Sequence, residues 1–303
     1  LDIINSQSLN NFNMQLEDLD RYVKQAKSNV DFLSLLERHF RNLQTCPLQT
    51  IYNSLSSIMD NLRLIWITSN YYNTDTLMAP LIERISHQLS DRVVQEIRTD
   101  MLRGPLDQAI AQTETAYNVL TNWHDRFNET RAMIEKKNHI PRWDFEQSRL
   151  FERPLYIAER CKELKQIAEK LRELYLILGP ELKSVTNNPH VIDETRAQVD
   201  DLITPLVPVP FDIFDKRFRA PWEAVFNRFL ASALKIQEQL SGLINTSFKD
   251  LRSSEAGLDL LDRFKKIQLA GDMKEQMDGK YADVLQKYSE EVTAIEELYK
   301  SSW

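Results

Sequence analysis

Apolar residues recur along this chain in steps of three and four, and the series breaks at prolines, glycines and short polar stretches. Between residues 16 and 43, the positions Leu16, Leu19, Val23, Ala26, Val30, Leu33, Leu36, Phe40 and Leu43 share one helix face. Cys46-Pro47 ends that helix, because proline disfavours helix in the residue before it. A second series restarts at once with Leu48, Ile51, Leu55, Ile58, Leu62 and Ile65, and stops near Ser69-Asn70-Tyr71-Tyr72-Asn73. A third, capped by Asp75 or Thr76, carries Leu77, Leu81, Ile85, Leu89 and Val93. Gly104-Pro105 is a stop followed by a start. The long fourth helix then runs through Leu106, Ala109, Thr113, Ala116, Leu120, Trp123, Phe127 and Ile134, to a break at Asn138-His139-Ile140-Pro141.

The second half continues the pattern. A short helix is expected over 143–153, around Trp143, Phe145, Leu150 and Phe151. Pro154 opens the next, with Leu155, Ala158, Cys161, Leu164, Ala168, Leu171, Leu174 and Leu178, closed by Gly179-Pro180. Residues 180 to 221 hold Pro180, Pro189, Pro205, Pro208, Pro210 and Pro221, which predicts a connector. One short helix is expected inside it around Ile192, Val199 and Leu202, and Pro205–Pro210 is expected to be extended. After Pro221 come Trp222, Phe226, Phe229, Ala233, Ile236, Leu240 and Leu243 on one face. A helix capped at Ser253-Ser254-Glu255 carries Leu258, Leu261 and Phe264, and a last one carries Met277, Tyr281, Val284, Tyr288, Val292, Ile295 and Leu298. The fold expected is all-α: elongated tandem bundles of long antiparallel helices with short loops. The organisation expected is a first helical bundle region over 1–179, a proline-rich connector over 180–221 and a second bundle region over 222–303.

Composition agrees with long helices. Six glycines in 303 residues is far below the usual ~7%, and tight hairpins consume glycine where helices do not. A net charge of −7 argues against nucleic acid and against an acidic membrane surface as partners. Cys46 and Cys161 are too few for a disulfide framework and read as reduced thiols in a cytosolic setting. Neither an 18-residue apolar run nor a signal-peptide pattern is present. The start at Leu1-Asp2-Ile3-Ile4, without Met, and the end at Ser301-Ser302-Trp303 read as those of a piece of something longer.

A search for chemistry yields little. Gly271 to Lys280 superficially resembles a phosphate loop, but seven residues separate the glycines where the motif has four, and Tyr281 follows where Ser or Thr would hold magnesium. The segment reads as a polar loop. None of His39, His87, His124, His139 and His190 has a ligand neighbour at metal spacing, and His124 and Asp125, being adjacent on a helix, face different directions. Glu17-Asp18, Asp200-Asp201, Glu290-Glu291 and Glu296-Glu297 fall on the solvated sides of amphipathic helices. Asn128-Glu129-Thr130 and Asn245-Thr246-Ser247 match the glycosylation triplet by chance. No catalytic, cofactor-binding, metal-binding or partner-contact residue is assigned. Aromatics gather near helix breaks: Trp66, Tyr71-Tyr72, Trp123, Trp143, Phe145, Phe151, Phe211, Phe214, Phe218 and Trp222. They either plug bundle ends or anchor a partner.

Several segments resemble one family. Ala26 to Glu37 (AKSNVDFLSLLE) and Leu62 to Thr74 (LRLIWITSNYYNT) are similar to the N-terminal tails of dynein heavy chains. So are Thr130–Glu135, Arg142–Phe145, Leu150–Glu152, Ile177–Thr186, Ser247–Glu255 and Leu260–Lys265, in the same order along the chain. The matches run from about residue 20 to residue 300 and resemble axonemal chains more than the cytoplasmic one. The resemblance implies a structural and assembly segment in a chain of helical bundles. It further implies association with other dynein heavy chains, with intermediate and light chains, and with docking proteins or the doublet microtubule of the cilium. The parent chain it implies is an ATP-driven, minus-end-directed microtubule motor, whose ATP and magnesium sites lie in a ring outside these residues. The segment itself is expected to be non-enzymatic and to hold no cofactor. A helical rod or tethering adaptor unrelated to a motor is the alternative.

Overall fold

A computed structural model describes residues 2–136, 142–185, 189–207, 211–249, 254–264 and 272–301. Every regular element among them is helical. Helices α1 (Asp2–Thr45), α2 (Leu48–Thr68), α3 (Asp75–Glu96), α4 (Leu106–Glu135) and α5 (Gln147–Ile177) are joined by short connections. Then come α6 (Pro180–Val185), α7 (Pro189–Ile203), α8 (Arg219–Lys249), α9 (Ser254–Phe264) and α10 (Asp272–Ser301). Two 3-10 turns, Thr99–Arg103 and Lys216–Phe218, precede α4 and α8.

The chain forms two compact units. The first comprises Leu1–Arg98 and Gln112–Lys162, the second Thr99–Ala111 and Glu163–Trp303. The proline-rich residues 180–221 fall within the second.

In the first unit, α1 stops at Pro47, and the last carbonyls it leaves open find a cation. The Arg92 guanidinium on α3 donates to the Cys46 carbonyl from Nε at 3.4 Å and from Nη2 at 3.3 Å. The α2 seam is buried as the spacing predicts, through Leu48, Ile51, Leu55, Ile58, Leu62 and Ile65, with Met59 and Trp66 added. Beyond α2 the Ser69 hydroxyl accepts the backbone N–H groups of Tyr71 and Tyr72, at 3.2 and 2.9 Å, and so builds the turn. The α3 cap is Thr74, not Asp75 or Thr76. Its backbone is extended, and its carbonyl takes the N–H groups of Leu77 and Met78 without help from its side chain. The buried face of α3 is also rotated from the expected one. Met78, Ile82, Ser86 and Ser90 are buried beside Ile85, Leu89 and Val93, whereas Leu77 and Leu81 are half-buried. A strict four-residue row drifts around a 3.6-residue helix, so its first members leave the face.

Proline behaves differently at two junctions from what the sequence suggests. The Pro105 carbonyl accepts from Gln108 and Ala109, which makes it the residue capping α4. Residues 142–146 are non-helical, and α5 then runs unbroken from Gln147 through Pro154. The expected short helix over 143–153 and the start at Pro154 are therefore one element. Pro154 removes a ladder bond, but its ring is buried on the same face as Leu150, Phe151, Ile157 and Ala158, while Leu155 points to solvent. The break proposed at residues 138–141 lies outside the described residues.

In the second unit, Leu164, Ile167, Ala168, Leu171 and Leu174 of α5 are fully or almost fully buried, as are Leu182, Ile192, Val199, Trp222, Ala233 and Leu240. The connector holds two helices, α6 and α7. Residues 204–207 form a turn and not an extended run, since Leu206 and Val207 donate to the Ile203 carbonyl and Leu206 is buried. Residues 208–210 are outside the described set. Gly242 is an exposed position within α8, and a Cβ built there meets nothing within 4 Å. Gly242→Ala is expected to raise stability by about 0.5–1 kcal/mol, through lower unfolded-state entropy. Urea denaturation followed by circular dichroism checks this, and a lower midpoint would contradict it.

Candidate functional site

The titratable residues singled out in the sequence are dispersed. His39 is half-buried, lies 3.3 Å from the Ser57 hydroxyl through Nε2, and has its pKa lowered by burial and by Arg38. His124 stacks edge-on against Phe151 with ring centroids 5.0 Å apart. Its Nδ1 is 3.7 Å from the Asp125 carboxylate, so these neighbours do approach each other, contrary to the expectation from helix geometry. His190 is exposed, and His139 is outside the described residues. Both cysteines are free thiols. Burial pushes the Cys161 thiol far above its ordinary range, which leaves it without nucleophilic character near neutrality. Asp200 accepts a 2.5 Å hydrogen bond from the Tyr175 hydroxyl, while on α10 Glu290, Glu296 and Glu297 lie exposed and Glu291 is half-buried. Among the described residues no group of three or more His, Cys, Asp or Glu could hold a metal ion. Asp272 to Lys280 is helical rather than the polar loop expected, with Gly279 inside α10.

Of these aromatics, Trp66, Trp123, Trp143, Phe145, Phe151 and Trp222 are core, while Tyr71, Tyr72, Phe211, Phe214 and Phe218 are half-buried. Trp66, Trp123, Trp143 and Trp222 are each at most 1% exposed. Trp66, Phe127, Trp143, Phe145 and Phe151 form one edge-to-face cluster, with centroid distances such as 5.5 Å for Trp66–Trp143 and 4.9 Å for Phe127–Phe151. This cluster fills the first unit where α2 ends and α5 begins. Trp123 donates from Nε1 to the Ser86 hydroxyl at 2.8 Å, and Trp222 to the Glu163 carboxylate at 2.5 Å. Plugging, not anchoring, describes these tryptophans.

The apolar surface lies elsewhere. The expected seam of α1 is buried only at its C-terminal end, at Leu36 and Leu43. Leu16, Leu19, Val23 and Val30 are between 43% and 67% exposed, and Leu9 and Phe12 extend the same row upstream. Leu9, Phe12, Leu16, Leu19, Val23, Ala26, Val30 and Leu33 alternate steps of three and four without a break, a 3.5-residue repeat. At Leu33 two successive steps of three interrupt it, and the buried stripe begins at Leu36. Ion pairs Arg21–Asp18 and Lys24–Asp20, both at 2.7 Å, flank the exposed row. On α10 a second such row, Leu285, Tyr288, Val292, Ile295 and Tyr299, is also exposed. Strict 3.5-residue rows are the seams of left-handed coiled coils. Large exposed apolar patches mark interaction surfaces. Spacing marks parts of both rows as helix faces, and their exposure is what spacing alone does not reveal.

Among the described residues no helix is long and apolar enough to cross a membrane. The family described as dynein heavy chain, N-terminal region 1, matches residues 1–303. The chain is 35% identical over 283 residues to the dynein-1-alpha heavy chain of the flagellar inner arm I1 complex of Chlamydomonas reinhardtii, covering 92% of this chain and 6% of that protein. It is 36% identical to dynein axonemal heavy chain 10 of Homo sapiens over 72% of its own length and 5% of that protein. It is 21% identical to the dynein gamma chain of the Chlamydomonas reinhardtii flagellar outer arm, again over 92% of this chain and 6% of that one. The chain thus spans only about a twentieth of the relatives it matches. These relatives are flagellar and axonemal, the type the resemblance favours, and a rod or adaptor from outside the dynein heavy chain family no longer fits. A match over the whole chain, with helices of the expected kind throughout the described residues, makes this a member of the dynein heavy chain family, comprising residues of its N-terminal region.

Proposed function

We propose that these residues form a structural and assembly segment of an axonemal dynein tail, joining heavy chains and attaching the motor to intermediate and light chains and to the doublet microtubule. In this reading the parent chain is an ATP-driven, minus-end-directed microtubule motor in the cilium axoneme, and its ATP and magnesium chemistry lies in other residues. The segment's own role is mechanical: the inward positions of its described residues are mostly apolar, with a few buried exceptions such as Ser86, Thr113 and Arg160, and what it offers to solvent is helix surface.

The observation that carries the reading is the exposed 3.5-residue row of α1 from Leu9 to Val30. A surface row of this length gains by covering, at roughly 25 cal/mol per Å² of apolar area removed from water. Cross-linking mass spectrometry on the native assembly tests it. Links from α1 to other chains are expected, and a segment with no links outside its own chain would be a passive spacer. The double substitution Leu16→Asp and Leu19→Asp is expected to leave the melting of the isolated chain nearly unchanged, because both side chains are more than half exposed. It should weaken binding of associated chains by more than about a hundredfold, as a charge in a desolvated interface costs about 3–5 kcal/mol.

A further inference from the structure

A groove of about 640 Å³ runs along α3 in the first unit, with the C-terminal end of α1 on one side and Arg153 of α5 on the other. Its floor is polar: Arg84, His87, Gln88 and Asp91 stand on successive turns of α3, with Arg92 and Gln95 at the far end. Three guanidinium groups therefore line one cavity of a chain whose net charge is −7. They are held in different ways. Arg92 is fixed by the Cys46 carbonyl and by Glu96 at 2.5 Å. Arg153 pairs with Asp91 at 2.5 Å. Arg84 is exposed and makes no ion pair among the described residues. Its neighbours on the helix, Glu83 and Asp91, are engaged by Arg149 and Arg153.

We propose that this groove binds a carboxylate-rich peptide segment of a partner protein. Arg84 is the free cation, and a planar guanidinium takes a carboxylate through two parallel hydrogen bonds. Arg153 can share itself between Asp91 and an incoming carboxylate, because Asp91 is exposed and the pair is weakly held. Gln88, Gln95 and Gln44 supply both donors and acceptors, which suits a peptide backbone better than a bare polyphosphate. The distance from Arg84 to Gln95 along the helix is ~16 Å at 1.5 Å per residue, which about five extended residues cover. Half-buried Phe40 and buried Leu43 on the α1 wall shield that side from water, which strengthens each charge contact.

The groove would give the assembly segment a second, electrostatic contact, so its purpose rests on the proposed function. Its test does not, because it uses the 303-residue chain alone and leaves the α1 row untouched. The probe is a fluorescein-labelled peptide of alternating Glu and Asp, about ten residues long, followed by fluorescence anisotropy. Saturable binding that weakens with salt is expected. Arg84→Glu should weaken it at least about tenfold, Arg84→Lys should weaken it less, because it keeps the charge and loses only the paired hydrogen bonds, and a Gly-Ser peptide should not bind. Arg21→Glu, the same charge change on exposed α1, should have little effect, and circular dichroism melting verifies that each variant folds. The proposal fails if the wild-type chain ignores the peptide, or if Arg84→Glu and Arg21→Glu weaken it equally. Equal affinity for a single-stranded oligonucleotide, with the same dependence on Arg84, would overturn the assignment to a peptide.

Discussion

Leu164→Asp is expected to destabilise the chain by about 3–5 kcal/mol, through an unpaired charge placed in a dry core. Leu164 lies on α5 in the second unit and is fully buried, between Cys161 and Ala168 on the same helix face. The substitution removes an apolar side chain whose burial contributes ~1.5–3 kcal/mol and adds a carboxylate that must stay charged without a partner or take up a proton. A globular domain has only about 5–15 kcal/mol to lose, so one such change threatens folding outright. Thermal melting followed at helical wavelengths checks it, with Leu164→Met as the volume-conserving comparison expected to cost less than about 1.5 kcal/mol. If the Asp variant melted with the wild type, Leu164 would have to reach water. Because burial raises the folded-state pKa of the new carboxyl, the deficit should shrink as pH falls from that raised value to the ordinary Asp value of about 3.9, below which both states are protonated.

Leu164 was legible in the sequence because its row keeps helical spacing for six turns between Pro154 and Gly179. The same reasoning gave the other long helices and the burial of α2, where intrinsic pattern and packing agree. It failed where a local rule met a tertiary demand. Proline reads as a boundary, yet Pro154 sits inside α5, because the ring is covered by the core the helix builds on either side. Spacing of four placed Leu77 and Leu81 on the inner face of α3, but the packing faces Met78 and Ile82 inward. Periodicity also cannot say whether a seam is covered. Leu19 and Leu36 belong to one apolar series, and only the second is buried. In hindsight the two successive steps of three at Leu33 were the available signal, since they turn the seam to another side of the helix. The arginine groove carried no signal at all: Arg84 and Arg153 are far apart in sequence and meet only because α3 and α5 pack side by side.

Trp123→Ala in the first unit is expected to cost about 3–5 kcal/mol, and its partner explains why a milder change still matters. Trp123 is fully buried on α4, and its indole N–H donates to the Ser86 hydroxyl, itself fully buried on α3. Such a pair is neutral in charge and modest in net energy, about 0.5–1.5 kcal/mol. Losing one member leaves the other unsatisfied in an apolar setting, at about 1–3 kcal/mol. Trp123→Phe keeps most of the ring volume and should therefore lose about 1–3 kcal/mol. The second substitution Ser86→Ala should recover part of that loss, because it removes the orphaned hydroxyl. Trp143 supplies the contrast: its ring is as buried, but its Nε1 has no hydrogen-bond partner. Trp143→Phe consequently leaves no hydroxyl or carbonyl stranded and removes an unpaired buried N–H, so its cost is that of ring volume less this relief. Urea denaturation of the four variants separates the two contributions. Equal losses for Trp123→Phe and Trp143→Phe, with no recovery from Ser86→Ala, would mean that the buried hydrogen bond between α3 and α4 adds nothing beyond packing.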